Sequence, residues 1–539
     1  MKEFKLLFIC FFVVVGMIVP ARNGVLAATA TVDTSEVHQT MEGFGASVAW
    51  EVWQLYSHDK NSEVYNYLFN ELGLDILRLR NVYSRGEDYI FGNYESIVDS
   101  FYAYSDPNTT PKIIISSWTP PTDLKSNNNL VGGTLDKIGG EYVYGDFVQY
   151  WMDALAEFEE YGIVPDYISI QNEPDWGQDH ATCRFGPTEN TTYAGYDQAL
   201  DSLYHRVQEL SPTPKILGPE VLGIDYNNFQ NYATQFNQDY VDGYAYHLYH
   251  GNNTNPDDYI TRLSAIANNY KGKPIFQTEF DRGGWFNTAW LMHNCLVHGN
   301  VSGYLYWWSV VGSFTPENPP LITLNGSTAY TMNQIYWAFR QYSKAIHSGW
   351  KRVGASVDED SLKISAFVSP GNDELSIIIL NVSHSENSVD LNVSDFNISG
   401  ANMLRTSEEE KCDYIGNYNG SAVDLPARSI TTISTLYIED VSGIEEEDYD
   451  SPAAVCLSQN YPNPFSASTT IEYSIADAGF VKLSIYDISG REVETLVEEV
   501  KPAGKYTVNI DAKGLSQGVY FYRLKTSGNS LQKKMILLK

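Results

Sequence analysis

The sequence predicts an α/β fold: a (β/α)8 TIM barrel, an associated antiparallel β side domain, and a C-terminal β-sandwich. Three observations carry this. From about residue 41, eight short strand-like runs alternate with amphipathic stretches. After residue 345 the pattern changes to short alternating strands separated by Asn, Gly and Ser. Beyond an acidic stretch a second β-rich module follows.

The elements follow in chain order. Residues 1–28 read as a secretory signal peptide: two lysines, an apolar run from Leu6 to Pro20, then small residues at Ala27, Ala28 and Ala30. An uncleaved anchor is the alternative. Residues 29–45 hold a strand expected to pair with the side domain. The eight runs of the barrel, residues 41–345, are "MEGFGASV", "ILRLRN", "KIIISSW", "YISIQNE", "KILGPE", "GYAYHLY", "PIFQTEF" and "GYLYWWS". Segments such as "FVQYWMDALAEFEEYG" lie between them, and strand–helix alternation of this kind builds parallel βαβ units. No GxGxxG follows the first strand, which disfavours a doubly wound dinucleotide fold. Residues 346–438 form the side domain, 439–453 an acidic linker and 454–539 the last β module, with turn signals at "YDISGRE" and "KGLSQGVY".

Composition narrows the function. Formal net charge is −32 over 539 residues, so the basic footprint that a nucleic-acid partner needs is missing. The mature chain is expected to be exported, soluble and monomeric. Cys183, Cys295, Cys412 and Cys456 are far apart without zinc spacing. One disulfide is conceivable, but buried free thiols are expected for most of them.

Chemistry in a barrel sits where the strands end. Glu173 closes the fourth run and Glu279 the seventh, each with a Gln two residues earlier, Gln171 and Gln277. Side chains two apart on a strand share a face, so each Gln is expected to point with its Glu into the lumen, while Ile168, Ile170 and Phe276 pack outward. Two carboxylates facing across the mouth are what glycoside hydrolysis requires, one a protonated acid and one an ionised nucleophile or base. Glu220, Glu51, Asp281 and Glu189 are competing carboxylates. No HxxxH or DxD cluster joins these residues, and neither metal nor cofactor is expected. Trp50, Trp118, Trp176, Tyr249, Trp307 and Trp308 gather at the same strand ends, where ring faces suit sugar stacking. Arg80 and His247 are expected to donate hydrogen bonds or to fix the carboxylates.

"EGFGAS", "LRLRN", "SSWTPP", "SIQNEPDW", "QTEF" and "YLYWWS" resemble glycoside hydrolase family 30 over roughly residues 30 to 438. The resemblance implies the barrel with its side domain and retaining chemistry. It makes Glu173 the acid/base, Glu279 the nucleophile, and Asn172 the residue that binds the sugar 2-hydroxyl. "QNEPDW" followed by "HATCRF" is similar to the xylanase branch, many of whose members hold a glucuronic acid branch with an Arg soon after the strand-eight tryptophans. No Arg occurs here between Trp308 and Arg340. The expectation is therefore β-1,4-xylan cleavage without strict glucuronic acid dependence. A β-1,6-glucanase or exo-β-glycosidase is one alternative, and a non-catalytic polysaccharide-binding surface protein another. Finally, "LSQNYPNPFSASTTIEYSI" and "VKLSIYDISGREV" resemble a C-terminal sorting domain of the type IX secretion system. That implies a secreted or cell-surface protein which engages the secretion machinery through its tail.

Overall fold

The computed structural model describes residues 27–538 apart from 51, 82–87, 108, 179, 225–227, 313–317, 439–455, 458–459, 461–462, 476–478, 489, 502–503 and 527–529. The signal-peptide and acidic-linker expectations fall almost wholly outside the described residues, as do Glu51 and part of the loop after Trp308.

All eight expected runs are strands of one closed barrel. In chain order these are Gly43–Ser47, Ile76–Arg80, Lys112–Ser116, Tyr167–Ser169, Lys215–Val221, Gly243–His247, Ile275–Glu279 and Val301–Trp308, and the last pairs in parallel with the first. They read as near-continuous apolar runs because a parallel barrel buries both strand faces. Outward residues such as Ile168 and Ile170 join the large core shared with the helices. Helix Tyr144–Glu160 shows why those helices dock: Phe147, Val148, Trp151, Ala154, Leu155 and Phe158 recur at helical spacing and are buried.

The lumen is closed by a layer of Ile76, Ile114, Tyr167, Leu217, Ala245, Phe276 and Leu305, one residue from each of seven strands. At the eighth, Gly45 leaves no room: a Cβ there would stand 2.5 Å from the Ile76 carbonyl oxygen. Phe276 thus points into the lumen, not outward as expected from the sequence. The seventh strand slips register between Gln277 and Glu279, where Thr278 is an extra residue. This bulge resets the alternation, so Glu279 faces the mouth one residue out of step with Phe276, and Gln277 does not share its face.

The side domain is a nine-stranded sheet. Strand Ala28–Thr40 lies inside it, antiparallel to Lys351–Val357 and parallel to Asn387–Ser394. Helix Gln334–Ser343 joins sheet to barrel: Arg340 donates to the Glu71 carbonyl, and Gln341 bonds Thr406. Among the described residues the C-terminal module has two sheets, of three and four strands, around a separate core that includes Ile471, Leu483, Ile485 and Tyr522. Among the described residues no helix is long and apolar enough to cross a membrane. Cys183, Cys295 and Cys412 are buried free thiols.

Candidate active site

Asn172 and Glu173 are consecutive, yet both side chains enter the mouth of the barrel. A regular strand would turn them to opposite faces. The fourth strand ends at Ser169, and Glu173 adopts a left-handed backbone with φ of 49°. Such a conformation costs on the order of 1–3 kcal/mol in a non-glycine residue. The Glu173 N–H donates to the Glu220 carbonyl at 2.9 Å, which pins the turn. Glu220, itself at φ 55°, sits at a register slip in the fifth strand.

The centre of the site is a cation. Arg78, fully buried, donates Nη1 to Glu279 Oε2 at 2.7 Å, Nη2 to Asn172 Oδ1 at 2.6 Å and to Glu220 Oε1 at 3.1 Å, and Nε to Ser116 Oγ at 3.1 Å. Its guanidinium lies 4.5 Å from the Trp118 ring centroid and 5.7 Å from that of Trp307. Tyr249 donates its hydroxyl to Glu279 Oε1 at 3.1 Å. Glu173 faces two histidines, with His247 Nδ1 2.9 Å from Oε1 and His180 Nε2 3.3 Å from Oε2.

The carboxylate-fixing part expected of Arg80 is therefore played by Arg78. Arg80 lies one pleat nearer the rim, stacked on Trp50 at 4.5 Å and donating Nε to the Ala49 carbonyl. The sequence did carry a signal for Arg78: it shares the parity of lumen-facing Ile76 within a strand, where a charge needs partners. His180 lies on a loop and left no such trace. Trp118 and Trp307 are buried around Arg78, while Trp50 and Trp308 are partly exposed beside them. Trp176 stands edge-on to His250 at 5.2 Å. Gln171 donates to the Trp118 carbonyl.

Electrostatics separates the three carboxyls. Burial raises each. At Glu220 the Arg78 charge and His247 outweigh burial and hold the group down at about 2. At Glu173 hydrogen bonds from His180 and His247 do the same, also to about 2. His247, despite its burial, is pushed up to about 9 by Glu279 and by its bonds to Glu173 and Glu220. Glu279 stays above its ordinary value, because burial and the Glu173 charge prevail over His247 and Arg78.

Glu173, His247 and Glu279 each offer an atom within 4.8 Å of the others, a spacing that could also hold a metal ion. Arg78 argues against that use, since its guanidinium already lies on Glu279 and would repel a second cation.

Two family profiles match the chain. Residues 349–433 match the glycosyl hydrolase family 30 beta sandwich domain. The chain is also 26% identical to the glycoside hydrolase family 30 subfamily 8 xylanase Xyn30A from Clostridium acetobutylicum, with a TM-score of 0.59 over 75% of this chain and 99% of that one. Residues 349–433 thus carry a family 30 beta sandwich domain, and the chain as a whole resembles family 30 xylanases. Among relatives of this chain, the glucuronoxylanase XynC of Bacillus subtilis strain 168 is 24% identical over 80% of this chain and 97% of its own length. The endo-1,6-beta-D-glucanase neg1 of Aspergillus fumigatus is 25% identical over 59% of this chain and 72% of its own. Residues 459–538 match the secretion system C-terminal sorting domain, so the chain is directed to the cell surface or the medium by type IX secretion.

Proposed function

We propose that the protein is a retaining xylanase that cleaves β-1,4-xylosidic bonds, with Glu173 as acid/base, Glu279 as nucleophile and no strict need for glucuronic acid branches. The observation that carries the mechanism is the approach of the Glu173 and Glu279 carboxylates, atom to atom within 4.8 Å. Retaining enzymes hold their carboxyl groups ~5–5.5 Å apart, whereas an inverting pair needs ~6.5–9.5 Å to admit water.

The two carboxyls form one coupled unit. With Glu173 ionised, its charge raises Glu279. Once Glu173 takes up the proton of the acid form, that repulsion vanishes, and Arg78 and Tyr249 hold Glu279 ionised for attack on the anomeric carbon. Glu173 Oε1 stays on His247, and Oε2 protonates the leaving oxygen. Oε2 faces His180, the more exposed histidine at 40%, so a sugar that displaces His180 removes one of the contacts keeping Glu173 acidic. After the glycosyl-enzyme forms, Glu173 as base activates water to release it. Asn172 gives its carbonyl oxygen to Arg78. Its buried amide nitrogen has no partner among the described residues, which suits donation to the sugar 2-hydroxyl.

Xylan as substrate rests on likeness to the xylanase relatives, and independence from glucuronic acid branches on the lack of an Arg between Trp308 and Arg340. The β-1,6-glucanase relative supports a second reading. Product profiling on unsubstituted xylan, glucuronoxylan and β-1,6-glucan separates the two: the proposal expects both xylans to be cut, and hydrolysis of β-1,6-glucan alone would overturn it. Glu279→Gln should abolish turnover while retaining xylan binding, because the amide keeps the shape but loses the nucleophile. Turnover near wild type in that variant ends the nucleophile assignment.

A further inference from the structure

Beside the catalytic mouth lies a groove of about 650 Å3, within the range of ~300–1,000 Å3 typical of small-molecule sites. One wall is helix Val52–Ser57. The other is a small sheet of Val310–Gly312, Ile322–Asn325 and Ala329–Met332. Trp53, Gln54, Trp308, Gly312 and Leu324 line it.

Three features give it meaning. First, the walls are tied: the Gly312 N–H donates to Gln54 Oε1 at 2.9 Å, and His58 Nε2 lies 3.1 Å from the Ala329 carbonyl oxygen. A side chain at 312 would meet Gln54 Oε1 at 2.5 Å, so glycine permits the approach. The groove is thus preformed. Second, it is aromatic at both ends. Trp308 links it to the catalytic centre through Trp307 (rings 4.8 Å apart), which lies against Arg78. At the outer end Trp53 is 58% exposed, with Tyr56, one turn further along the helix, at 46%. Third, no Asp, Glu, Lys or Arg occurs among the described residues that line it, and the sole titratable group, His58, is buried.

We infer that this groove is a distal binding site for an uncharged polysaccharide chain, with Trp53 as its outer stacking platform, so that a polymer threads from the Glu173–Glu279 pair past Trp308 to Trp53. The occupant follows from chemistry. Aromatic faces with neutral hydrogen-bonding groups between them suit sugar rings and offer nothing to a phosphate, a uronate or a charged peptide. Continuity with the catalytic centre makes it the same chain that is cleaved. The inference rests on the glycanase reading above and adds that the enzyme favours long, unbranched stretches and acts within chains.

The test compares wild type, Trp53→Ala and Trp53→Phe on linear xylan and on an aryl β-xylobioside, with affinity electrophoresis in xylan on a Glu279→Gln background. The ratio of kcat/KM on polymer to that on the aryl glycoside should fall about tenfold in Trp53→Ala, the size expected when roughly 60 Å2 of stacked apolar surface returns to water. Trp53→Phe should recover most of it, and electrophoretic retardation should follow the same order. Equal losses on both substrates, or no change in the ratio, overturns the groove as a glycan site. A concentration-dependent dimer that Trp53→Ala abolishes would assign the face to a second copy instead. Failure of wild type to cut xylan would overturn the function proposed above, a result distinct from any of these.

Discussion

Replacing Arg78 by lysine tests the architecture of the site most directly. Arg78 makes four hydrogen bonds and touches two carboxylates in full burial. A lysine keeps the charge but loses the planar fork that spans Glu279, Glu220 and Asn172 together. At least two charge-assisted bonds are then lost. At ~1.5–3 kcal/mol each, this comes to about 3–6 kcal/mol. If that loss falls on the transition state, kcat/KM drops by ~10²–10⁴. The pH dependence is the sharper readout. Arg78 lowers the Glu279 carboxyl, so weakening the contact raises that group, and the acidic limb of kcat/KM must move to higher pH. The deficit should therefore be larger at pH 5 than at pH 7. An aryl β-xylobioside with a good leaving group is the substrate of choice, because it minimises dependence on Glu173, and thermal melting run in parallel separates loss of fold from loss of function. An unmoved acidic limb with kcat/KM within threefold of wild type would refute the claim that Arg78 sets the ionisation of Glu279.

Three further outcomes follow. Glu173→Ala should depress hydrolysis of xylan, whose leaving sugar needs a proton, at least ~100-fold more than that of an activated aryl glycoside; equal losses would show that Glu173 is not the donor. His180→Gln removes a group that lowers Glu173, so the basic limb of kcat/KM should move to higher pH while KM for the aryl glycoside changes little, and an unchanged limb argues that His180 does not tune the acid. Asp75 is fully buried at the base of the barrel, and burial pushes its carboxyl from 3.8 up to about 7 although the Phe44 N–H and Lys112 oppose this. The native state thus binds the proton more tightly than the unfolded chain, and this contribution to stability is lost as pH rises through that window. Asp75→Asn should flatten the decline, with a gain at pH 8 relative to pH 4 on the order of 4 kcal/mol; melting curves that keep the wild-type pH profile would exclude Asp75 as its source.

The barrel was legible because closure forces a simple code on the sequence. A strand buried on both faces must be apolar throughout, and chemistry is confined to its end, so "YISIQNE" and "PIFQTEF" announce both the fold and the two glutamates. Strict alternation failed where the backbone leaves the regular strand. Carried through Thr278, period two put Phe276 outside and Gln277 beside Glu279. The bulge makes both wrong and is itself what turns Glu279 toward the mouth. Glu173 has the same logic: the left-handed turn that lets adjacent Asn172 and Glu173 converge has no signature in residue type.

Depth was the other hidden variable. Arg78 and Arg80 share a face and differ by one pleat, ~6.6 Å along the strand. That step decides which guanidinium meets three acceptors beneath the tryptophans and which stacks on Trp50 nearer the rim. Sequence spacing gives parity but not height, since height depends on how the eight strands stagger on closure. The stagger sets Arg78 level with Glu279, Glu220 and Asn172, each from a different strand or strand-end loop. The charge that organises the site is therefore a property of barrel closure rather than of any one motif. For that reason the Arg78 substitution should disturb both glutamates together, whereas a change at Arg80 should act through Trp50.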